Sequence, residues 1–179
     1  MKKAIFTLMA IVIAVAAQAQ QFQNGTTAAN LGIGLGTALG GLGKARPAIS
    51  LSVDHGMWDI GGPGAISLGG YVGNTGYRYT SGTYTYKWNY TIVGVRGAYH
   101  YNGFTNVPEL DVYGGAMLSY NIAKYSSDGD DASYANSYGS GVGFTGFIGG
   151  RWFFTDRIGA FAELGYGVSV LNAGVTYKF

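Results

Sequence analysis

The sequence predicts an all-β protein, an eight-stranded antiparallel up-and-down transmembrane β-barrel preceded by a cleavable signal peptide. Three observations carry this. The chain opens MKKAIFTLMAIVIAVAAQAQ, with Lys2 and Lys3 before an apolar run over 5–17 and an Ala17-Gln18-Ala19 cleavage site, the three parts of a secretory signal. The run is shorter than the roughly 20 residues a membrane-crossing helix needs. Charged residues make up 11% of the chain, against about 25% in ordinary soluble domains. Finally, apolar residues alternate with small or polar ones along nearly the whole of 30–179, the two-residue period of strands with unlike faces.

The first strand is the glycine stretch LGIGLGTALGG, 31–41. Glycines can cradle a phosphate, but a dinucleotide loop spaces them GxGxxG between a buried strand and a helix. Here the run is GxGxG, a polar stretch precedes it, and Gly43-Lys44-Ala45-Arg46-Pro47 follows. As a strand, Leu31, Ile33, Leu35 and Leu39 share one face while Gly32, Gly34, Gly36, Ala38 and Gly40 share the other. A face without side chains suits a strand that others approach closely.

The remaining strands follow in order. In AISLSVDH, Ile49, Leu51 and Val53 oppose Ser50, Ser52 and Asp54; GMWDIGGPG then reads as a turn over 55–63. A long pair, 65–80 and 83–101, meets at a hairpin tip at Ser81-Gly82. On it Leu68 and Val72 oppose Tyr71, and Val93, Val95, Tyr99 and Tyr101 oppose Ile92, Arg96 and His100. After a turn over 102–108, Leu110, Val112, Leu118, Tyr120 and Ile122 oppose Glu109, Asp111, Tyr113 and Ser119. Val142, Phe144, Ile148, Trp152 and Phe154 then oppose Thr145, Phe147 and Arg151. Two strands flank the VSV link and end the chain, one with Phe161 and Glu163 opposite Leu164, the other with Lys178 opposite Val175, Tyr177 and Phe179. Short turns (55–63, 102–108, 155–157) alternate with longer or more variable loops (41–46, 75–86, 125–139, 167–169), as in outer-membrane barrels. The expected organisation is a signal peptide (1–19), a short polar segment (20–29) and the barrel (30–179).

Several function classes drop out. Lys2 and Lys3 leave with the signal, so of eleven basic residues nine remain against nine acidic ones, and no basic face for nucleic acid is expected. There is no cysteine, hence no disulfide and no lipid-modified N-terminus. A water-soluble lipocalin-like barrel or β-sandwich would carry dense Lys and Glu on its polar face; here that face is mostly Gly, Ser, Thr, Asn and Ala.

The last thirty residues, GRWFFTDRIGAFAELGYGVSVLNAGVTYKF, resemble the C-terminal hairpins of small outer-membrane barrels of the OmpX/OmpA-transmembrane type, and especially the "porin family" barrels of Bacteroidetes-like bacteria. The resemblance implies a cell outer-membrane location in a Gram-negative envelope. It also implies that Val175, Tyr177 and Phe179 form the signal read by the barrel-assembly machinery. The chain stops at Phe179, without the peptidoglycan-binding domain of full-length OmpA-type proteins.

The polar face contributes Asp54, Arg96, Glu109, Asp111, Arg151, Glu163 and Lys178 to the lumen. An eight-stranded barrel is just wide enough for side chains to fill, and Tyr71, Tyr113, Phe147 and Phe161 narrow it further. The charges read either as an internal ion-pair network, with Arg151 and Glu163 paired on adjacent strands, or as a gated narrow ion path. No cofactor or metal is expected. In SSDGDD, 126–131, Asp128 and Asp130 fit the start of a calcium loop, but Ala132 and Gly139 stand where its third acidic or amide ligand and its closing glutamate belong. The two histidines, His55 and His100, fall near one rim, and no enzymatic activity is expected. Strand-end aromatics (Tyr99, Tyr101, Trp152, Phe154, Tyr177 and Phe179 on one rim, Tyr120 and Tyr166 near the other) fit interfacial girdles. The excess length around 77–88 predicts an extracellular hairpin presenting Tyr77, Tyr79, Tyr84, Tyr86 and Trp88 to an outside partner. The functional expectation is a monomeric outer-membrane barrel in contact with lipid, with a structural or surface-interaction role. The alternative is a small porin or an OmpW-like conduit for small or apolar solutes.

Overall fold

The computed structural model describes residues 21–36, 44–127 and 140–179. The expected signal segment, residues 37–41 of the glycine stretch and the acidic stretch from Asp128 lie outside them. Eight strands run in chain order: β1 (Thr27–Leu35), β2 (Lys44–Asp59), β3 (Gly64–Ser81), β4 (Tyr84–Tyr101), β5 (Leu110–Ser127), β6 (Gly141–Phe153), β7 (Ile158–Gly165) and β8 (Leu171–Lys178). Each pairs antiparallel with its neighbours, and β1 pairs with β8 from Ala28↔Lys178 to Leu35↔Leu171, closing the barrel. Closure removes the sheet edges whose unpaired N–H and C=O groups hydrocarbon cannot satisfy.

Alternation sets the two faces. Leu31, Ile33, Leu51, Val95, Leu118, Phe144, Ile148 and Val175 point outward, with Val142 and Phe144 more than three-quarters exposed. Asn30, Ser52, Asp54, Ser67, Arg96, His100, Asp111 and Arg151 are buried inside. This is an inverted protein. Each apolar side chain left in water forfeits about 1.5–3 kcal/mol of burial, so a continuous belt of them is stable in hydrocarbon.

The glycine face is a packing device. A Cβ on Gly32 would stand 2.7 Å from the Phe161 ring, and one on Gly34 would collide with Ser169 and Asn172. β1 lies where β7 and the turn after it press inward.

The strands are longer than the sequence led us to expect. β2 continues through the expected turn at 55–59, because His55, Gly56 and Trp58 pair with Leu68, Ser67 and Ile66, with a register shift between Gly56 and Trp58. The turn shrinks to 60–63. The hairpin tip is Gly82-Thr83, one residue beyond the expected position, with Ser81 opposite Tyr84 and Gly82 at φ +59°. Glycine with positive φ at the first central position fits a two-residue type II′ turn. β2 and β5 flank the raised hairpin as far as Lys44↔Arg78 and Tyr86↔Ser127. A four-stranded wall therefore stands at this end, rather than the two-stranded ribbon the sequence implied.

Candidate functional site

The lumen is built as three layers. At its centre, β2, β4, β5, β6 and β7 each contribute a charge. Arg151 donates from Nε to Asn30 Oδ1 (3.0 Å), from Nη1 to Asp111 Oδ2 (2.7 Å) and from Nη2 to Asp54 Oδ2. Arg96 clamps Glu163 with two bonds, Nη1 to Oε1 at 3.2 Å and Nη2 to Oε2 at 2.7 Å. Its Nε lies 3.0 Å from Asp54 Oδ1, close enough for Coulomb attraction, yet neither atom makes a hydrogen bond. Tyr113 donates its hydroxyl to Glu163 Oε2 at 3.0 Å. The guanidinium of Arg96 sits 3.9 Å from the Phe147 ring centroid and that of Arg151 4.4 Å from that of Tyr113, a cation–π arrangement strengthened by desolvation.

Two expectations need correction. Arg151 and Glu163 are not partners. Across β6 and β7, Glu163 faces Gly149 and Arg151 faces Phe161, so the two are offset, and each reaches across the lumen to a distant strand instead. In a barrel this narrow, inward side chains meet over the axis as readily as along the wall. Glu109 does not join the cluster either. It stands half-buried in the turn before β5, where its carbonyl accepts the Phe153 N–H. Lys178 does point inward, at the end where the short turns lie, with Nζ 4.6 Å from the Phe153 ring centroid.

The layer toward the short turns holds what the sequence concealed. His100 is buried rather than at the rim, with Nδ1 2.8 Å from Asp111 Oδ1 and Nε2 2.9 Å from Ser67 Oγ. The order Ser67–His100–Asp111 is that of a hydrolytic triad. However, Ser67 and His100 are both 0% exposed, and Arg151 holds the other oxygen of Asp111. Phe22 covers the histidine, its ring stacked at 3.8 Å with 13° between planes. Phe22 comes from the segment expected to be merely polar. Asn102 Nδ2 donates to its carbonyl at 2.7 Å, while the Gly25 N–H donates to the Gly56 carbonyl and the Gly56 N–H to the Thr26 carbonyl. Phe22 thus corks this mouth of the barrel.

The opposite mouth is closed by the turn after β7. Val168 is fully buried among Ala48, Tyr71, Ile92 and Met117, and its N–H donates to the Tyr71 hydroxyl at 3.3 Å. Ser169 Oγ donates to Asn172 Oδ1 at 2.8 Å. Between the layers, a gap lined by Tyr71, Arg96, Met117, Phe147, Glu163 and Asn172 has room for about one water molecule. A lone aromatic in QFQNG and an apolar residue in GYGVSV are the faint traces of these two seals in the sequence.

Above the plugged mouth rises the wall. Tyr77 and Tyr79 on β3 have the inward phase of Tyr71, and Tyr86, Trp88 and Tyr90 on β4 have that of Ile92. Tyr79 stacks with Tyr86 at 6.3 Å, Tyr86 with Tyr125 at 6.4 Å, Trp88 lies 5.4 Å from Tyr125, and Tyr77 meets Tyr90 edge-on at 6.3 Å. The aromatics therefore form one sheet on the concave side of the wall. Tyr84, at the tip, is 55% exposed.

No protein-family model matches the chain, and no curated protein matches it. Among solved structures, it is similar to Ail, the attachment invasion locus protein of Yersinia pestis, in complex with the heparin analogue sucrose octasulfate. The identity is 14% and the TM-score 0.53, over 88% of this chain and 100% of that one. It is also similar to the N-terminal β-barrel domain of Pseudomonas aeruginosa OprF (17% identity, TM-score 0.47, 89% and 100% covered) and to Neisserial surface protein A (19%, 0.45, 86% and 94%). At these identities the likeness is one of fold, and the comparison with Ail carries it. With its apolar belt and closed hydrogen-bond ring, the chain is an eight-stranded β-barrel of the outer-membrane type.

Proposed function

We propose that this protein works at the cell surface, as an integral outer-membrane barrel of the Bacteroidetes-like porin family that presents the aromatic side of its raised wall to an extracellular partner. The short turns, Phe22 and Phe179 share one end, which by the usual build of such barrels faces the periplasm; the wall then faces outward. The observation that carries the reading is the concave sheet of Tyr77, Tyr79, Tyr86, Trp88, Tyr90 and Tyr125. Aromatic side chains offer large, rigid contact area with few rotatable bonds. Stacked edge to edge on strands already paired, they lose little further entropy on binding. That Ail is an attachment invasion locus protein, seen in complex with a heparin analogue, agrees with a surface role for such a barrel.

The alternative, a small porin or apolar conduit, is opposed by the packing at three levels: Phe22 at one mouth, the ion pairs and aromatic rings at the centre, and Val168 at the other. The same packing keeps Ser67 from any substrate, and we assign no catalytic role. The barrel acts as a monomer, delivered by the barrel-assembly machinery through Val175, Tyr177 and Phe179.

The test separates wall from barrel. Replacing residues 77–88 by a short Gly-Ser turn, or substituting Tyr79→Ser with Tyr86→Ser, is expected to leave heat-modifiable gel migration intact while abolishing the adhesion that the intact protein confers on cells. Stepwise single-channel conductance from the unaltered barrel in planar bilayers would favour the conduit instead.

A further inference from the structure

The wall has a second face. On β3, Leu68 and Val72 point outward, and the β3–β4 register runs without a shift from Gly64↔Tyr101 to Ser81↔Tyr84. Arg78 therefore also points outward, and so does Lys87 opposite it. The β4–β5 register is equally continuous, which puts Lys124 outward in phase with Leu118 and Ile122. On β2, Arg46 lies opposite Gly76 and Lys44 opposite Arg78. Read across the four strands, the outward positions form rows. Ile49, Asn74, Thr91 and Ile122 make the last row containing apolar side chains. The next is Arg46, Gly76, Asn89 and Lys124. Above it come Lys44, Arg78, Lys87 and Ser126.

Two rows thus hold five cations and no carboxylate, in a chain whose mature part is neutral overall. Lys44, Arg78 and Lys87 are direct cross-strand neighbours, which concentrates positive charge on one outward row. Lys44, Arg46, Arg78 and Lys124 are exposed and Lys87 half-exposed.

Their height decides what they meet. Two residues span about 6.7 Å along a strand, or about 5 Å along the membrane normal at a tilt of about 40°. On each strand the first basic position therefore stands about 5 Å beyond the last apolar row and the second about 10 Å beyond. The headgroup layer of a leaflet is roughly 5–7 Å thick. Strand tilt lifts each row by about 3 Å per strand, so the two rows together bracket this layer, and the long side chains of the higher positions can bend back into it. Because the cations share the phase of the lipid-facing belt, they look sideways into the leaflet.

We propose that this face is a binding site for the phosphate groups of phosphorylated lipids in the leaflet around the wall. Arg46 and Arg78 present planar forks that match phosphate oxygens two at a time. Lys44, Lys87 and Lys124 add point charges that draw the anionic headgroups in. Bound phosphate fixes the wall's inclination to the membrane. The concave side is then left to the extracellular partner, so the two faces serve different ligands.

The test uses the full mature chain refolded in phosphatidylcholine vesicles, with spin-labelled phosphatidic acid or spin-labelled phosphatidylcholine as probe. The immobilised fraction, read by electron spin resonance, gives the relative association of each lipid. Preference for phosphatidic acid is expected to fall about fivefold in Arg78→Gln, as befits the roughly 1 kcal/mol that one basic side chain contributes near an anionic surface. It is expected to vanish in Arg78→Gln/Lys87→Gln/Lys124→Gln, to survive in Arg78→Lys, and to survive in Arg157→Gln, which removes a cation at the other end. All variants keep the aromatic face, so loss of lipid preference with adhesion intact separates this site from the function proposed above. An unchanged preference in the triple variant would overturn the proposal. So would tight binding of soluble sucrose octasulfate to the detergent-refolded chain together with no preference between the two lipids, since the rows would then serve a soluble polyanion.

Discussion

The double mutant cycle around Glu163 tests the lumen geometry directly. Glu163 accepts two bonds from Arg96 and one from Tyr113, and all three residues are buried. Glu163→Gln leaves a guanidinium in the barrel core with one of its two carboxylates gone. Breaking a buried pair costs about 3–5 kcal/mol when the survivor is stranded. Asp54 still lies 3.0 Å from Arg96 Nε, so the lower end, about 3 kcal/mol, is expected. Arg96→Met keeps the side-chain stem against Phe147 and should cost a similar amount. In the double variant neither charge is orphaned, which predicts a coupling of about 2 kcal/mol. The cycle between Arg151 and Glu163 should give less than about 0.5 kcal/mol, because Arg151 spends its donors on Asn30, Asp54 and Asp111 and the two share no bond. The assay is urea unfolding of the vesicle-refolded barrel, followed by tryptophan fluorescence and checked by heat-modifiable migration. Coupling between Arg151 and Glu163 as large as that between Arg96 and Glu163 would refute the cross-lumen arrangement.

Two further outcomes follow from the seals and the terminus. Phe22→Ala should destabilise the barrel by about 3 kcal/mol in the same urea assay, through loss of a fully buried ring and the cavity left over His100; a change below about 1 kcal/mol would mean the cork is idle. Deleting Phe179 should lower the amount of barrel in outer-membrane fractions by several-fold while shifting its urea midpoint little, since the residue is 74% exposed and its backbone adds one bond to Thr27.

The barrel was legible because strand alternation is a one-dimensional signal. Leu31/Ile33 on β1, Val93/Val95 on β4 and Val175/Tyr177 on β8 announce an outer face, and their neighbours an inner one, with no knowledge of what lies across the lumen. The identities of the lumen charges, Glu109 excepted, were legible for the same reason. Their partners were not. Whether Arg151 meets Glu163 or Asp54 depends on stagger and diameter, which no strand carries by itself. The ends were harder still. Phe22 and Val168 lie outside any alternating segment, and what places them is the empty mouth they fill. The extent of β2 was misread because Gly56, Met57 and Gly61-Gly62-Pro63 look like one turn, whereas pairing with β3 carries the strand on to Asp59.

The braces of the lumen join strands far apart in the chain: Asp54 on β2 to Arg151 on β6, and Arg96 on β4 to Glu163 on β7, separated by 97 and 67 residues. A partly assembled sheet would hold these charges toward partners that had not yet arrived. Exposed to hydrocarbon in that state, each would face the full cost of an unpaired ion. The barrel therefore has no comfortable half-way stage in the bilayer. Curling, meeting of β1 with β8 and neutralisation of the interior must happen nearly together, and such non-local pairing makes the step slow. Such a chain gains its internal ion pairs only when β1 meets β8, so being kept curled or hydrated until it closes spares it unpaired charges in lipid.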